Sequence, residues 1–262
     1  MILNREIEEK SRKYDVRITT VERDYGQYWI LAHVKKLNMA LKGGTGIRKV
    51  FIKDYRFSDD LDFTLMESYE KETLEDLLID AVLEAKEESG IQFQDTIKLT
   101  PTESGFTTKV IFIGIKTGSP IGIKIDLTLA ENETIFLPTQ ERIIIHEYSD
   151  DVQKSVKSYA LEEIVAEKIR ALFQRARARD VYDIWQLANI AEKEVVQSIL
   201  ERKLEKKDLA IDMEVLIQKK DILSSAWKTQ LVHQMREVPN FDEIFNEVLV
   251  EVKYYEMHVK KS

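Results

Sequence analysis

The feature that most limits how this chain can fold is the place where its strand signals stop. Up to about Ser149 the sequence keeps returning to runs rich in β-branched residues, set apart by Gly, Ser or Pro; beyond a polar linker to about Ser158 only helical periodicity is left. A chain that spends its strands in one half and its helices in the other does not build the alternating βαβ pattern of a parallel α/β fold. We therefore expect an α+β protein with a boundary near residue 155. Residues 1–155 should form an α/β domain with N-terminal helices, and residues 156–262 an all-helical domain.

Within the first half, REIEEKSRKY and YWILAHVKKLNMAL read as helices, with a short strand around Ala40 to Lys42. DLDFTL alternates as a strand, and ETLEDLLIDAVLEAKEES reads as a helix closed by Gly90. FQDTIKLT, GFTTKVIFIGIKTG and PIGIKIDLTLA then read as further strands, which together predict a mixed sheet with helices on one side.

Composition narrows the chemistry. With 44% apolar residues the chain can bury a substantial core. The absence of cysteine excludes disulfides, thiolate zinc sites and cysteine nucleophiles, and the four histidines are scattered without a ligand spacing. Many carboxylates leave room for a hard cation. A net charge of −8 excludes coating nucleic acid by bulk charge but permits a local basic groove. No run of apolar residues is long enough to span a membrane and the start is charged, so a cytoplasmic protein is expected.

Three constellations carry chemistry. In SDDLDFTL, strand alternation puts Asp60 and Asp62 on one face and turns Leu61 and Phe63 inward, while Asp59 faces away as a solvated loop residue. GIKIDLTL alternates likewise, with Ile123, Ile125, Leu127 and Leu129 on one side and Lys124, Asp126 and Thr128 on the other. Asp126 completes a three-carboxylate cluster if the two strands are neighbours. Taken alone, two aspartates at this spacing in a charged chain are most often solvated surface residues.

KGGTGIRKV offers Gly43 and Gly44 before a short helical stretch, where bare backbone N–H groups can approach a phosphate and Thr45 can donate its hydroxyl. Neither a Walker loop nor a GxGxxG fingerprint can be threaded through it. Such a pair on its own is more often a turn. On a helical wheel, YALEEIVAEKIRALFQR presents Leu161, Ile164, Val165, Ile169 and Leu172 as its apolar face, with Lys168 at the edge. If that helix continues, Arg175 and Arg179 share the face of Lys168, while Arg170 and Arg177 point to solvent. The bland alternative is a snorkelling lysine among surface arginines. Asp180 and Asp183 are placed to hold Arg175 or Arg179, or to serve as first-turn acids of the next helix.

Together these segments resemble the AbiEii nucleotidyltransferase toxins, whose fold belongs with the polymerase-β-like nucleotidyltransferases. The resemblance is carried by the glycine pair with its threonine, by Arg56, Ser58, Asp60, Asp62 and Phe63, by IKIDLT with Asp126, by Glu167, Lys168, Arg170, Ala171 and Leu172, and by Arg179, Asp180, Tyr182 and Asp183. The stretch between Gly44 and Asp60 is longer than in minimal members of that superfamily, and the helices beyond about residue 190 match no motif.

The resemblance implies a mixed sheet carrying the acidic triad, flanked by helices and followed by an all-helical domain closing over a cleft. It implies Asp60, Asp62 and Asp126 as metal ligands for two Mg²⁺ ions, with Mn²⁺ as a substitute, and an NTP as substrate. Gly43, Gly44, Thr45, Arg56 and Ser58 would bind the nucleotide, and Lys168 would neutralise triphosphate charge. Arg175 and Arg179, supported by Asp180 and Asp183, would hold an acceptor, with the 3′ end of tRNA the leading one. An antitoxin encoded nearby is the implied partner. Transfer to a protein hydroxyl, a phosphotransferase or nuclease using the same carboxylates, and a non-catalytic nucleotide-binding protein stay open as alternatives.

Overall fold

The computed structural model describes residues 1–150, 152–175 and 177–259, and these divide into two units. The first comprises residues 1–134, 138–159 and 234–236; the second comprises 135–137, 160–233 and 237–262. The division falls at Tyr159, and in two places a short piece of chain belongs with the opposite unit.

In the first unit, helices α1 (Asn4–Tyr14) and α2 (Ile18–His33) precede the sheet, separated by Asp15 in a left-handed conformation that a short polar side chain tolerates. Strand β1 (Met39–Lys42) leads into the glycine turn α3 (Gly43–Gly46), which runs on as a π-helical turn over Ile47–Phe51. Strand β2 (Asp60–Leu65) and helix α4 (Lys71–Ser89) follow. Gly90, at φ 75°, closes α4 as the sequence predicts, because a glycine takes the left-handed C-cap without a Cβ penalty. Then come β3 (Thr100–Pro101), β4 (Gly105–Ile113), β5 (Pro120–Thr128), β6 (Gln140–Ile143) and β7 (Ser155–Ser158).

These strands form one seven-stranded sheet in the order β3-β4-β5-β2-β1-β7-β6. The pairs β2·β5 and β1·β7 are parallel and the remainder antiparallel, giving the expected mixed sheet. Two expectations change. The segment FQDTIKLT is no full strand: it contributes a bridge from Phe93 to Phe112 and then only Thr100, the first residue of β3. The linker after Ser149 does contain a strand, β7, whose pairing beside β1 extends the sheet past residue 155.

Alternation sorts the sheet into two faces. Leu61, Phe63, Val110, Phe112, Ile121, Ile123, Ile125 and Leu127 are all buried and pack with the inward sides of α2 and α4. Gly26 lets α2 come close, since a Cβ there would lie 3.1 Å from the Phe112 ring and 3.2 Å from Ile123 Cδ1. Removal of this much apolar surface from water is the main stabilising term, at roughly 25 cal/mol per Å². The opposite face of β2 and β5 is left polar.

The second unit is built from α5 (Leu161–Gln174), α6 (Ala178–Leu187), α7 (Lys193–Lys206), α8 (Met213–Gln218), α9 (Lys220–Leu231) and α10 (Phe241–His258). Asp212 and Asn240 cap α8 and α10 by accepting two backbone N–H bonds each. Ile164, Val165, Ile169 and Leu172 of α5 are buried as the wheel predicts. The returning segment 135–137 is held here by Glu163, which is fully buried and accepts the backbone N–H groups of Phe136 and Leu137 at 3.1 and 3.0 Å. Lys203 Nζ lies 2.8 Å from the same carboxylate and compensates its charge.

One expectation about this unit fails. The helix carrying Lys168 does not run through Arg179: Arg175 and Arg177 are extended, with φ of −142° and −111°, and a new helix starts at Ala178. Lys168, Arg175 and Arg179 are therefore not residues of one helical face. Arg170 is half-buried rather than solvent-facing, and Arg175 is exposed.

Candidate active site

The parallel pairing of β2 with β5 sets Asp60 beside Lys124 and Asp62 beside Asp126. Because alternate residues share a face, Asp60, Asp62, Lys124 and Asp126 all stand on the polar side of the sheet. Lys42 of β1 flanks Asp62 from the other side, and Thr107 of β4 flanks Asp126. The condition on which the three-carboxylate cluster depended, neighbouring strands in register, is met.

Charge within this face is partly balanced. Asp126 accepts from Thr107 Oγ1 at 2.7 Å and from Lys124 Nζ at 2.5 Å, one partner to each carboxylate oxygen. Burial, and next the charge of Asp62, hold the Asp60 carboxyl above the usual carboxylate range. Conversely, its bond to Asp126, with Asp60 and Asp62 nearby, raises the Lys124 ammonium. Among the described residues, no three His, Cys, Asp or Glu side chains are drawn together closely enough to cage a metal ion as they stand. The donor chemistry nonetheless fits a hard divalent cation: all oxygens, from two strands in register, with the charge of Asp60 disfavoured by burial and by Asp62.

The glycine turn lies against the same carboxylates. Gly43 adopts φ 70°, and a Cβ there would come within 2.5 Å of Asp62 Oδ2, so a side chain is excluded both by conformation and by space. A Cβ on Gly44 would meet Arg56 Nη2 and Ser58 Oγ, each at 3.0 Å. Gly43, Gly44, Arg56 and Ser58 are thus brought to one place beside Asp62. Thr45 differs from expectation: it is fully buried and its hydroxyl donates to the backbone carbonyl of Asp60, so it braces the turn against β2 instead of offering a free hydroxyl.

Asp59 lies in the loop before β2 with its side chain 43% exposed, as expected, but that side chain is also held by partners. Its two oxygens accept from Arg23 Nη1 at 2.6 Å and from Gln234 Nε2 at 2.9 Å. The stretch between Gly44 and Asp60 also has a firm anchor that the sequence does not announce. Arg48 and Lys49, both buried, reach the buried Asp24 of α2 at 2.6 and 2.8 Å, and Tyr148 donates to the same carboxylate. Burial opposes the charge of Asp24, but Arg48 and Lys49 together overcome it and hold the carboxyl well below the usual range. Arg23, Asp24, Arg48, Lys49, Thr107 and Gln234 are absent from the sequence-based site. Lys124 had a visible signal, its position two residues before Asp126, whereas the others act through partners distant in the chain.

In the helical unit, Lys168 Nζ lies 3.0 Å from Asp180 and 2.7 Å from Asp183, and both carboxylates are buried. Asp180 also accepts from Arg175 Nε at 3.3 Å. Asp180 stands in the first turn of α6 and holds Arg175, as both readings of it allow, while Lys168 is ion-paired to two buried carboxylates instead of snorkelling.

Solved structures, a nucleotidyltransferase toxin among them, share the fold of this chain over nearly its whole length. MenT4, a nucleotidyltransferase toxin from Mycobacterium tuberculosis H37Rv, aligns with a TM-score of 0.66 and 17% identity over 97% of this chain and 90% of its own. JHP933 from Helicobacter pylori aligns with a TM-score of 0.61, also at 17% identity, over 93% of this chain and 94% of its own. At such identity these show a shared fold. The model of the nucleotidyl transferase AbiEii toxin family, a type IV toxin–antitoxin system, matches residues 29–247, and this chain belongs to that family. Membership implies a nucleotide substrate and an antitoxin partner. A search of curated proteins finds no significant match. Among the described residues no helix is long and apolar enough to cross a membrane.

Proposed function

We propose that this chain transfers a nucleoside monophosphate from an NTP to an acceptor hydroxyl, with Asp60, Asp62 and Asp126 holding Mg²⁺, or Mn²⁺ in its place. The observation that carries the reading is the register of β2 against β5, which sets Asp62 beside Asp126 with Asp60 two residues away on the same face. When bound, the divalent ions supply positive charge to the phosphates and to the attacking oxygen. Lys124 must release Asp126 for that carboxylate to turn to a metal.

Gly43 and Gly44 let backbone N–H groups approach the β,γ-phosphates, and Arg56 and Ser58 border the same turn. The acceptor oxygen forms a bond to the α-phosphorus as the bond from that phosphorus to the bridging oxygen breaks. Pyrophosphate leaves, and the hydroxyl proton is taken up at Asp126. Lys168 enters this scheme as a neutralising charge for the triphosphate, with Asp180 and Asp183 fixing its ammonium. The acceptor we favour is an RNA 3′ end, in particular that of tRNA, with Arg175 and Arg179 holding its backbone through charge-assisted bonds.

The test is incubation with α-labelled NTPs, Mg²⁺ and total RNA. Label joined to RNA supports the reading and identifies the acceptor. Label joined to protein moves the acceptor to a protein hydroxyl, and label joined to neither, with every NTP and both metals, overturns transfer altogether.

A further inference from the structure

Gln234 lies in the sequence between helices of the second unit, yet Gln234–Arg236 belongs with the sheet. Its side chain is 2% exposed. Arg56 Nη1 donates to its Oε1 at 2.7 Å, its Nε2 donates to Asp59 Oδ2 at 2.9 Å, and its backbone oxygen accepts from Phe57 N at 2.8 Å. The segment Arg56–Asp59 is thus gripped at Arg56, Phe57 and Asp59 by one residue from far along the chain.

The chemistry of the grip is specific. A guanidinium on one side needs an acceptor, and a carboxylate on the other needs a donor. A carboxamide presents both from one planar group, and does so at any pH. Asp59 has a second cationic partner in Arg23, whose Nε donates to the Gly122 carbonyl of β5. Arg56, in turn, lies against Gly44. One end of the amide therefore bears on the glycine turn and the other on the residue just before Asp60.

We propose that Gln234 is a positioning residue of the nucleotide site, holding Arg56 at the glycine turn where it meets the triphosphate of an NTP and fixing the start of β2 through Asp59. This rests on the nucleotidyltransferase reading above, and its test separates the two.

Hydrogen exchange over residues 55–59 in nucleotide-free protein decides the positioning, whatever the activity. In Gln234→Ala the backbone bond from Phe57 survives, so the segment stays docked while its exchange rises about tenfold or more, the scale expected for losing bonds to charged groups. Unchanged exchange overturns positioning. Steady-state transfer decides the nucleotide role. KM for NTP should rise about tenfold with kcat within about twofold, and Gln234→Glu, which keeps an acceptor for Arg56 but repels Asp59, should fail to restore exchange protection. Arg56→Ala with Gln234→Ala should raise KM by clearly less than the two single effects combined, because one of the two arms of Gln234 acts through Arg56. Additive effects, or a fall in kcat at constant KM, overturn the proposal. A wild-type protein without transfer activity sinks the function while the exchange result still stands.

Discussion

Asp62 of β2 stands directly across the parallel ladder from Asp126 of β5, so two acids from strands far apart in sequence face the same way on adjacent positions. With Asp60 they gather more negative charge than Lys124 and Lys42 offset. Each prediction about this face follows from that imbalance.

Asp60→Asn or Asp62→Asn should abolish transfer while the metal-free protein keeps or gains thermal stability. The Asp60 carboxyl is raised above its unfolded value, so its ionised form is disfavoured in the fold. Its destabilising effect is present at neutral pH and disappears as pH falls through the folded value. The Tm advantage of Asp60→Asn over wild type should therefore be largest near pH 7 and vanish on acidification. Scanning calorimetry across pH checks this, and full activity in either variant refutes the metal assignment.

Lys124→Met should behave in the opposite sense. Removing the ammonium that Asp126 holds at 2.5 Å leaves the carboxylates without that countercharge, so metal-free Tm should fall. Added Mg²⁺ should raise Tm more in the variant than in wild type, because the ammonium then no longer competes for Asp126. An equal Mg²⁺ response in the two proteins would count against the acidic face as the metal site.

Lys168→Ala should destabilise the helical unit by about 3–5 kcal/mol, the usual cost of leaving buried carboxylates without their partner. Lys168→Met combined with Asp180→Asn and Asp183→Asn removes all three charges and should recover most of that loss in urea unfolding. If NTP affinity in the recovered triple variant matches wild type, Lys168 has a structural role alone.

Asp24→Ala should cost a similar 3–5 kcal/mol, since it strands Arg48 and Lys49 in the core. Because the Asp24 carboxyl is depressed in the fold, its contribution is fully present above the unfolded carboxylate value near about pH 4. It is lost as pH falls further toward the folded value. Urea midpoints of wild type should drop below about pH 4, and Asp24→Ala should lack that part of the drop.

Charge reversal at Arg175 and Arg179 should weaken RNA modification and flatten its salt dependence more than it alters NTP binding. Because the helix that set Arg177 on another face from Arg175 and Arg179 is broken, Arg177→Glu belongs in the same series. Labelled-RNA transfer at several salt concentrations gives the slopes, and unchanged slopes in all three variants would move the acceptor elsewhere.

Local pattern made several elements legible: alternation exposed β2 and β5, and Gly90 announced the end of α4. The pairing of β2 with β5 was legible only as a condition, because strands brought together over a long chain separation leave no local trace. The break at Arg175 and Arg177 is hidden for a different reason. Arginine and alanine are both good helix formers, and no Gly or Pro marks the stop. The bonds made by Thr45 and Asp59 leave no local trace, because their partners, the Asp60 carbonyl and the Arg23 and Gln234 side chains, come from tertiary structure. Asp24 with Arg48 and Lys49 was invisible on the same ground: charged residues in a charged chain look like surface until a buried acid is found among them.

The two short exchanges of chain, 135–137 and 234–236, bear on how this protein can be inherited in pieces. A recombination point near residue 160 would pass on a sheet lacking Gln234 and still carrying a strap suited to Glu163. The helical half would arrive without that strap. Gene shuffling among relatives therefore has no single seam here at which both products keep their full set of contacts, and the two halves are expected to be transmitted together.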